Sequence, residues 1–126
     1  MRSEVLFSGV ATADLSTATA WYEKLVGRPA DIIVNENEVM WRITDGGWLY
    51  VVVDKERAGR GLTAIAVGDL DQALTEVTER GLAAPSVETA GSAGRKASFV
   101  DPDGNTTSLL EVGTAPATSD APPGSR

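Results

Sequence analysis

"VATADLSTA" (Val10–Ala18) and "IAVGDLDQA" (Ile65–Ala73) decide the fold, because they are two copies of one pattern. At an offset of 55 residues, Asp14 matches Asp69, Leu15 matches Leu70 and Ala18 matches Ala73. In each copy an apolar, strand-like run meets an aspartate suited to cap a helix, and a helical pattern follows. After Asp14, residues Leu15, Ala18, Tyr22 and Leu25 fall at spacings of three and four and form one apolar face. Gly27 ends that helix, and Pro29 prevents its return. After Asp69 the corresponding face is Leu70, Ala73, Leu74 and Val77, closed by Gly81.

Working outward, each helix lies between strand candidates. Val5–Thr12 precedes the first, and Asp31–Asn35, Val39–Thr44 and Trp48–Val53 follow it. The last two are joined by "DGG" (Asp45–Gly47), a hairpin signal. Leu62–Val67 precedes the second helix, with strands following near Ser86–Thr89, Lys96–Val100 and Thr106–Val112. The chain therefore reads as α+β, two βαβββ units of similar length. We expect one domain over residues 1–112, with unit one at about 4–54 and unit two at about 61–112. A charged loop, "DKERAGRG" (Asp54–Gly61), separates the units; within it "ERAGRG" (Glu56–Gly61) is basic and contains glycine, but it lacks the spacing and helix context of a phosphate loop and reads as a flexible linker. "GTAPATSDAPPGSR" (Gly113–Arg126) is too poor in large apolar residues to offset its ordering entropy and reads as a disordered tail.

The 126 residues suffice for one core, and 42% apolar with 23% charged is ordinary for a globular protein. No apolar run is long enough to span a bilayer, and the N-terminus lacks a signal-peptide pattern, so a cytoplasmic protein is expected. There are no cysteines and no histidines. That excludes disulfides, thiolate metal sites and cysteine nucleophiles, together with the commonest metal ligand and general base. Any acid–base chemistry would fall to carboxylates, Tyr, Lys or Arg. A formal charge of −7 and the lack of a basic stripe argue against nucleic acid as a partner.

The two units, the D-L-x-x-A helix starts, "WYEKLVG" (Trp21–Gly27) and "DPDGN" (Asp101–Asn105) together resemble the vicinal oxygen chelate superfamily over about Val5 to Val112. That group includes glyoxalase I, extradiol dioxygenases, and fosfomycin- and bleomycin-resistance proteins. The resemblance implies that the units curl into a cupped mixed sheet with the helices outside. It also implies four metal-ligand points, two on first strands and two on last strands. Carried onto this chain, those points fall on Phe7, Leu62, Ser108 and near Tyr50. A benzyl ring and an isobutyl group cannot coordinate a divalent cation, and hydroxyls are poor replacements. Glu111 lies an odd number of residues from Ser108, so in a regular strand it points to the opposite face. No metal and no other cofactor is expected.

The cup would then suit an organic ligand. Strand alternation puts Trp48, Tyr50 and Val52 on one face, and Trp41 on the neighbouring strand is a candidate to join them. Aromatic rings offer large contact area to planar ligands at low entropic cost, though core or dimer packing would also use them. Trp21 and Tyr22 read as core. Arg42 and Arg95 are candidates to clamp a carboxylate or phenolate, against a solvated surface role. Glu38, Asp45 and Asp31 read as solvent-facing. The candidate ligand-binding set is thus Phe7, Trp41, Trp48, Tyr50, Leu62, Arg95 and Ser108.

Three functions fit. One is a non-enzymatic binder of the bleomycin-resistance type, sequestering a planar or conjugated natural product. A second is a metal-independent cyclase, isomerase or lyase acting on a polyketide-like substrate, with Tyr50, Ser108 or a carboxylate as acid or base. The third is a structural or regulatory member without a ligand. A homodimer is expected, because pairing in the superfamily covers sheet edges and apolar surface that an isolated cup would expose.

Overall fold

The computed structural model describes residues 1–83, 85–89 and 94–113. Apart from Gly113, the expected tail lies outside the described residues. The element order is β1 (Leu6–Thr12), α1 (Leu15–Val26), β2 (Ile32–Asn35), β3 (Glu38–Thr44), β4 (Gly47–Val53), β5 (Leu62–Ala66), α2 (Leu70–Glu79), β6 (Val87–Thr89), β7 (Gly94–Val100) and β8 (Thr106–Val112). The repeat therefore folds as two βαβββ units. Both aspartates act as caps: Asp14 Oδ1 accepts from the Thr17 amide at 3.2 Å, and Asp69 Oδ1 from the Gln72 amide at 3.0 Å. Gly27 ends α1 with φ 95°, a left-handed conformation that favours glycine. The carbonyls at that end find a partner in the other unit. Arg80, just past α2, donates to Lys24 O at 2.5 Å and Leu25 O at 2.9 Å.

Each unit forms a four-stranded sheet, ordered β1-β4-β3-β2 and β5-β8-β7-β6. In each, the first strand pairs in parallel with the last, and the other pairings are antiparallel. The sheets meet where β1 lies beside β5, with the Ser8 and Thr63 hydroxyls 3.4 Å apart.

Alternation along the strands separates two faces. Val10, Val39, Trp41, Leu49, Val51, Ala97, Phe99 and Leu109 form one core with Ala18, Tyr22 and Leu25 of α1 and Leu70 and Val77 of α2. Both helices thus cover one face, and the other face stays open. Phe7, Leu62 and Val100 lie on the open face and are 52%, 84% and 65% exposed.

The "DPDGN" turn joins the units. Asp101, buried, accepts at Oδ1 from the amides of Asp103 and Asn105, both at 2.9 Å. Its Oδ2 accepts from the Tyr22 hydroxyl at 2.7 Å and from Asn105 Nδ2 at 2.9 Å. Asn105, fully buried, also donates to Ala11 O at 2.8 Å, and its Oδ1 accepts from the amides of Gly59 (3.0 Å) and Gly61 (2.7 Å). Asp103 accepts from the Thr12 hydroxyl at 2.5 Å and the Ala13 amide at 2.9 Å. One turn of unit two therefore holds the end of β1, α1 and the linker. Burial pushes the Tyr22 hydroxyl well above the usual tyrosine pKa. The bond from Thr107 opposes that shift, while the Asp101 carboxylate adds to it.

Candidate functional site: the open face of the first sheet

The ladder between β1 and β4 sets Phe7 beside Trp48, Gly9 beside Tyr50 and Ala11 beside Val52. All six project from the open face. The Phe7 and Trp48 rings stack, with centroids 6.3 Å apart and planes at 29°. The Tyr50 ring lies across Gly9. A Cβ there would sit 2.3 Å from Tyr50 Cζ. A glycine inside a strand is a signal of such close approach, and the sequence carried it unread. The next strand, β3, places Arg42 beside Trp48 and Met40 beside Tyr50.

Two cavities flank this aromatic row. One of about 320 Å³ lies where the two sheets meet, lined by Trp48 and the helix-side Ser8, Ile43 and Leu49 of the first sheet and by Leu62 to Ala66 of β5. A second of about 300 Å³ has Gly9, Ala11, Tyr50 and Val52 as its floor, with Arg57 and Arg60 from the linker at its edge. Phe7, Trp48 and Tyr50 thus share one face of the first sheet, and Leu62 shares a cavity with Trp48. Ser108 shares the open-face parity but lies on the second sheet. It is buried, and its hydroxyl is 2.9 Å from that of Ser98.

Two expected site residues lie elsewhere. Trp41 is fully buried on the helix face, where it pairs across the ladder with Leu49, packs 6.2 Å from the Tyr22 ring, and donates Nε1–H to Arg28 O at 2.9 Å. The cause is an irregularity in the hairpin. Thr44 pairs with Gly47, and that register continued would set Trp41 opposite Tyr50 and on its face. The register shifts by one between Arg42 and Thr44, so Trp41 turns inward. Arg95 also has helix-face parity. It pairs with Asp71 at 3.1 Å and Glu111 at 3.3 Å, and these bonds hold its pKa above the usual value. Glu111 lies on that same side, as its spacing from Ser108 implied, and accepts the Leu70 amide at 2.9 Å. Arg42 keeps to the open side, but its guanidinium is engaged by Asp45 O at 3.0 Å. Asp31 is exposed. Its carboxylate accepts from the Arg42 amide at 2.6 Å, which holds its pKa below the usual carboxylate value, and Arg28 adds to the effect.

Gly9 and Ala64 are equivalent in the repeat and pair with Tyr50 and Ser108, which makes those two residues counterparts. The four points that the resemblance assigns to metal ligands thus correspond to Phe7, Tyr50, Leu62 and Ser108. Two are hydrocarbons and two are neutral hydroxyls, which do not fit a divalent cation. Among the described residues, no three Asp, Glu, His or Cys side chains cluster as a metal site. Also among them, no helix is long and apolar enough to cross a membrane.

Paired βαβββ units with parallel first-to-last ladders define a vicinal oxygen chelate fold. Solved structures agree. A glyoxalase / bleomycin resistance protein from Catenulispora acidiphila DSM 44928 is 38% identical, with TM-score 0.82 over 87% of this chain and 99% of that one. TnmS3, an antibiotic binding protein from Streptomyces sp. CB03234, is 24% identical, with TM-score 0.69 over 88% and 97%. The fosfomycin resistance protein FosX from Listeria monocytogenes is 18% identical, with TM-score 0.69 over 90% and 97%. No family model and no curated protein matches the chain. The chain belongs to the glyoxalase / bleomycin resistance protein family of the vicinal oxygen chelate superfamily.

Proposed function

We propose that this protein is a metal-independent binder that sequesters a planar or conjugated small molecule on the open face of its first sheet. The observation that carries this reading is the row Phe7–Trp48–Tyr50. Stackable rings stand there at two of the positions where a metalloenzyme would need ligands. Relatives described as bleomycin-resistance and antibiotic-binding proteins support a binding role. Catalysis is less well supported. The buried hydroxyl with a raised pKa, Tyr22 of α1, lies in the core between helix and sheet, away from the open face, and is occupied by Asp101 and Thr107.

A second copy closes the cup. Phe7, Leu62 and Val100 expose apolar surface on one face, and a homodimer covers it. Sedimentation equilibrium should report a dimer at tens of micromolar, and a monomer would refute the pairing.

The test of binding is a tryptophan-emission titration of chelator-treated protein with planar antibiotics and aromatic polyketides. Ligand stacked on Trp48 quenches its emission. Trp48→Ala should weaken binding by about 1–3 kcal/mol while the protein stays folded. Trp41→Ala should instead cost about 3–5 kcal/mol of stability, as for other large core aromatics. Affinity unchanged in Trp48→Ala, or restored only by added divalent metal, would overturn the proposal.

A further inference from the structure

The cavity at the Tyr50 end differs in charge from the rest of the protein. Two arginines and one aspartate, Asp54, contribute to its lining, in a chain of formal charge −7. Asp54 lies 3.4 Å from the Arg57 guanidinium and accepts the Arg57 amide at Oδ1, so that pair is matched. Arg60 has no ion-pair partner among the described residues, is exposed, and lines the same cavity as Gly9, Ala11, Tyr50 and Val52. Nor is its backbone loose. The amides on either side of it, Gly59 and Gly61, both donate to Oδ1 of the fully buried Asn105, at 3.0 and 2.7 Å. A linker that read as flexible is thus pinned at the residue whose charge is unmatched. An unmatched arginine anchored through its backbone at the edge of an aromatic cavity suits a ligand with a flat apolar body and an anionic group at one end.

We propose that the ligand is an aromatic anion, its carboxylate, sulfonate or phenolate lying in the cavity between Tyr50 and the linker with the Arg60 guanidinium as counter-charge. This rests on the aromatic-cup reading and adds the charge and orientation of the occupant.

The test uses a matched pair of probes on the full chain: 1-anilinonaphthalene-8-sulfonate and its neutral parent, N-phenyl-1-naphthylamine. They share a ring system and differ in the sulfonate. Dissociation constants are measured by probe emission and tryptophan quenching for wild type, Arg60→Gln and Lys55→Gln. The last removes the same charge from the same linker at a residue outside the cavity lining. Wild type should prefer the sulfonate about two- to fivefold, the range for a partly solvated charge contact. Arg60→Gln should abolish the preference by weakening only the sulfonate, and Lys55→Gln should keep it. The preference is a ratio within one protein sample, so a change in stability does not mask it. Equal affinity for both probes in wild type overturns the anion assignment and leaves the aromatic cup standing. An equal loss of preference in Arg60→Gln and Lys55→Gln overturns it too, because the effect is then only the general field. Quenching by neither probe overturns the aromatic cup and the anion assignment together.

Discussion

Asn105→Ala removes more structure than its size suggests. The side chain has no exposed surface and makes four hydrogen bonds, two accepted from Gly59 and Gly61 and two donated to Ala11 O and Asp101. Truncation leaves two amides, a carbonyl and a carboxylate oxygen each short of a partner. A neutral bond contributes about 0.5–1.5 kcal/mol and one to a charged group about 1.5–3. With water entering the vacated space to restore part of this, the expected loss is about 3–5 kcal/mol. Asn105→Asp separates bonding from charge. It keeps the shape and both accepted bonds, but sets a second carboxylate where Nδ2 stood, 2.9 Å from Asp101 Oδ2. Two carboxylates so close raise one folded-state pKa. The resulting stability is present below the unfolded aspartate value, about pH 4, and lost as pH rises through the folded value. The gap to wild type should therefore narrow in acid. Urea denaturation followed by tryptophan emission measures both variants, and hydrogen exchange reports the Gly59 and Gly61 amides directly. A loss under about 1 kcal/mol for Asn105→Ala, or unchanged exchange at those two amides, would refute the reasoning.

Tyr22→Phe should change the alkaline limb of stability. The raised pKa of Tyr22 keeps stability intact below the unfolded tyrosine value, near pH 10, and above it wild type should lose about 1.4 kcal/mol per pH unit from this group; denaturation at stepped pH should show that component missing in the variant. Gly9→Ala should push the Tyr50 ring off the sheet at a cost of about 1–3 kcal/mol, and should weaken aromatic ligands in the titration described above. Wild-type affinity in Gly9→Ala would mean that the Tyr50 ring is not part of the platform.

Most of the fold was legible because its signals are local. Asp14 and Asp69 cap helices through their own next turn, Gly27 takes a left-handed conformation, and strand parity needs only the sequence. Parity alone sent Glu111 to the helix side and set Trp48 with Tyr50. Trp41 was not legible, because its face depends on a one-residue register shift in the β3–β4 hairpin, which no local pattern marks. Arg95 shares its parity with Glu111. Its place on the helix side was implicit in that spacing, but its partner Asp71 lies in another element. The pinned linker was hidden for a related reason. Residues 59 and 61 meet Asn105 across more than 40 positions of chain, and a run of glycine and charge carries no trace of a distant buried amide.

The "DPDGN" turn keeps the buried polar network apart from the open face. In β8, Thr107 and Leu109 face the helices, while Ser108 faces the opposite way. The clasp made by Asp101 and Asn105 runs to Tyr22, Ala11, Gly59 and Gly61, and none of its bonds reaches the Ser108 side chain. The hydroxyl of Ser108 needs only Ser98, its neighbour across the ladder. Structural polar groups and open-face groups therefore lie on opposite sides of the same strand, one residue apart. Substitution on the open face leaves the buried network satisfied. The same turn is thus compatible with different open-face residues, and under the proposed function those that matter are Phe7, Trp48, Tyr50 and Leu62.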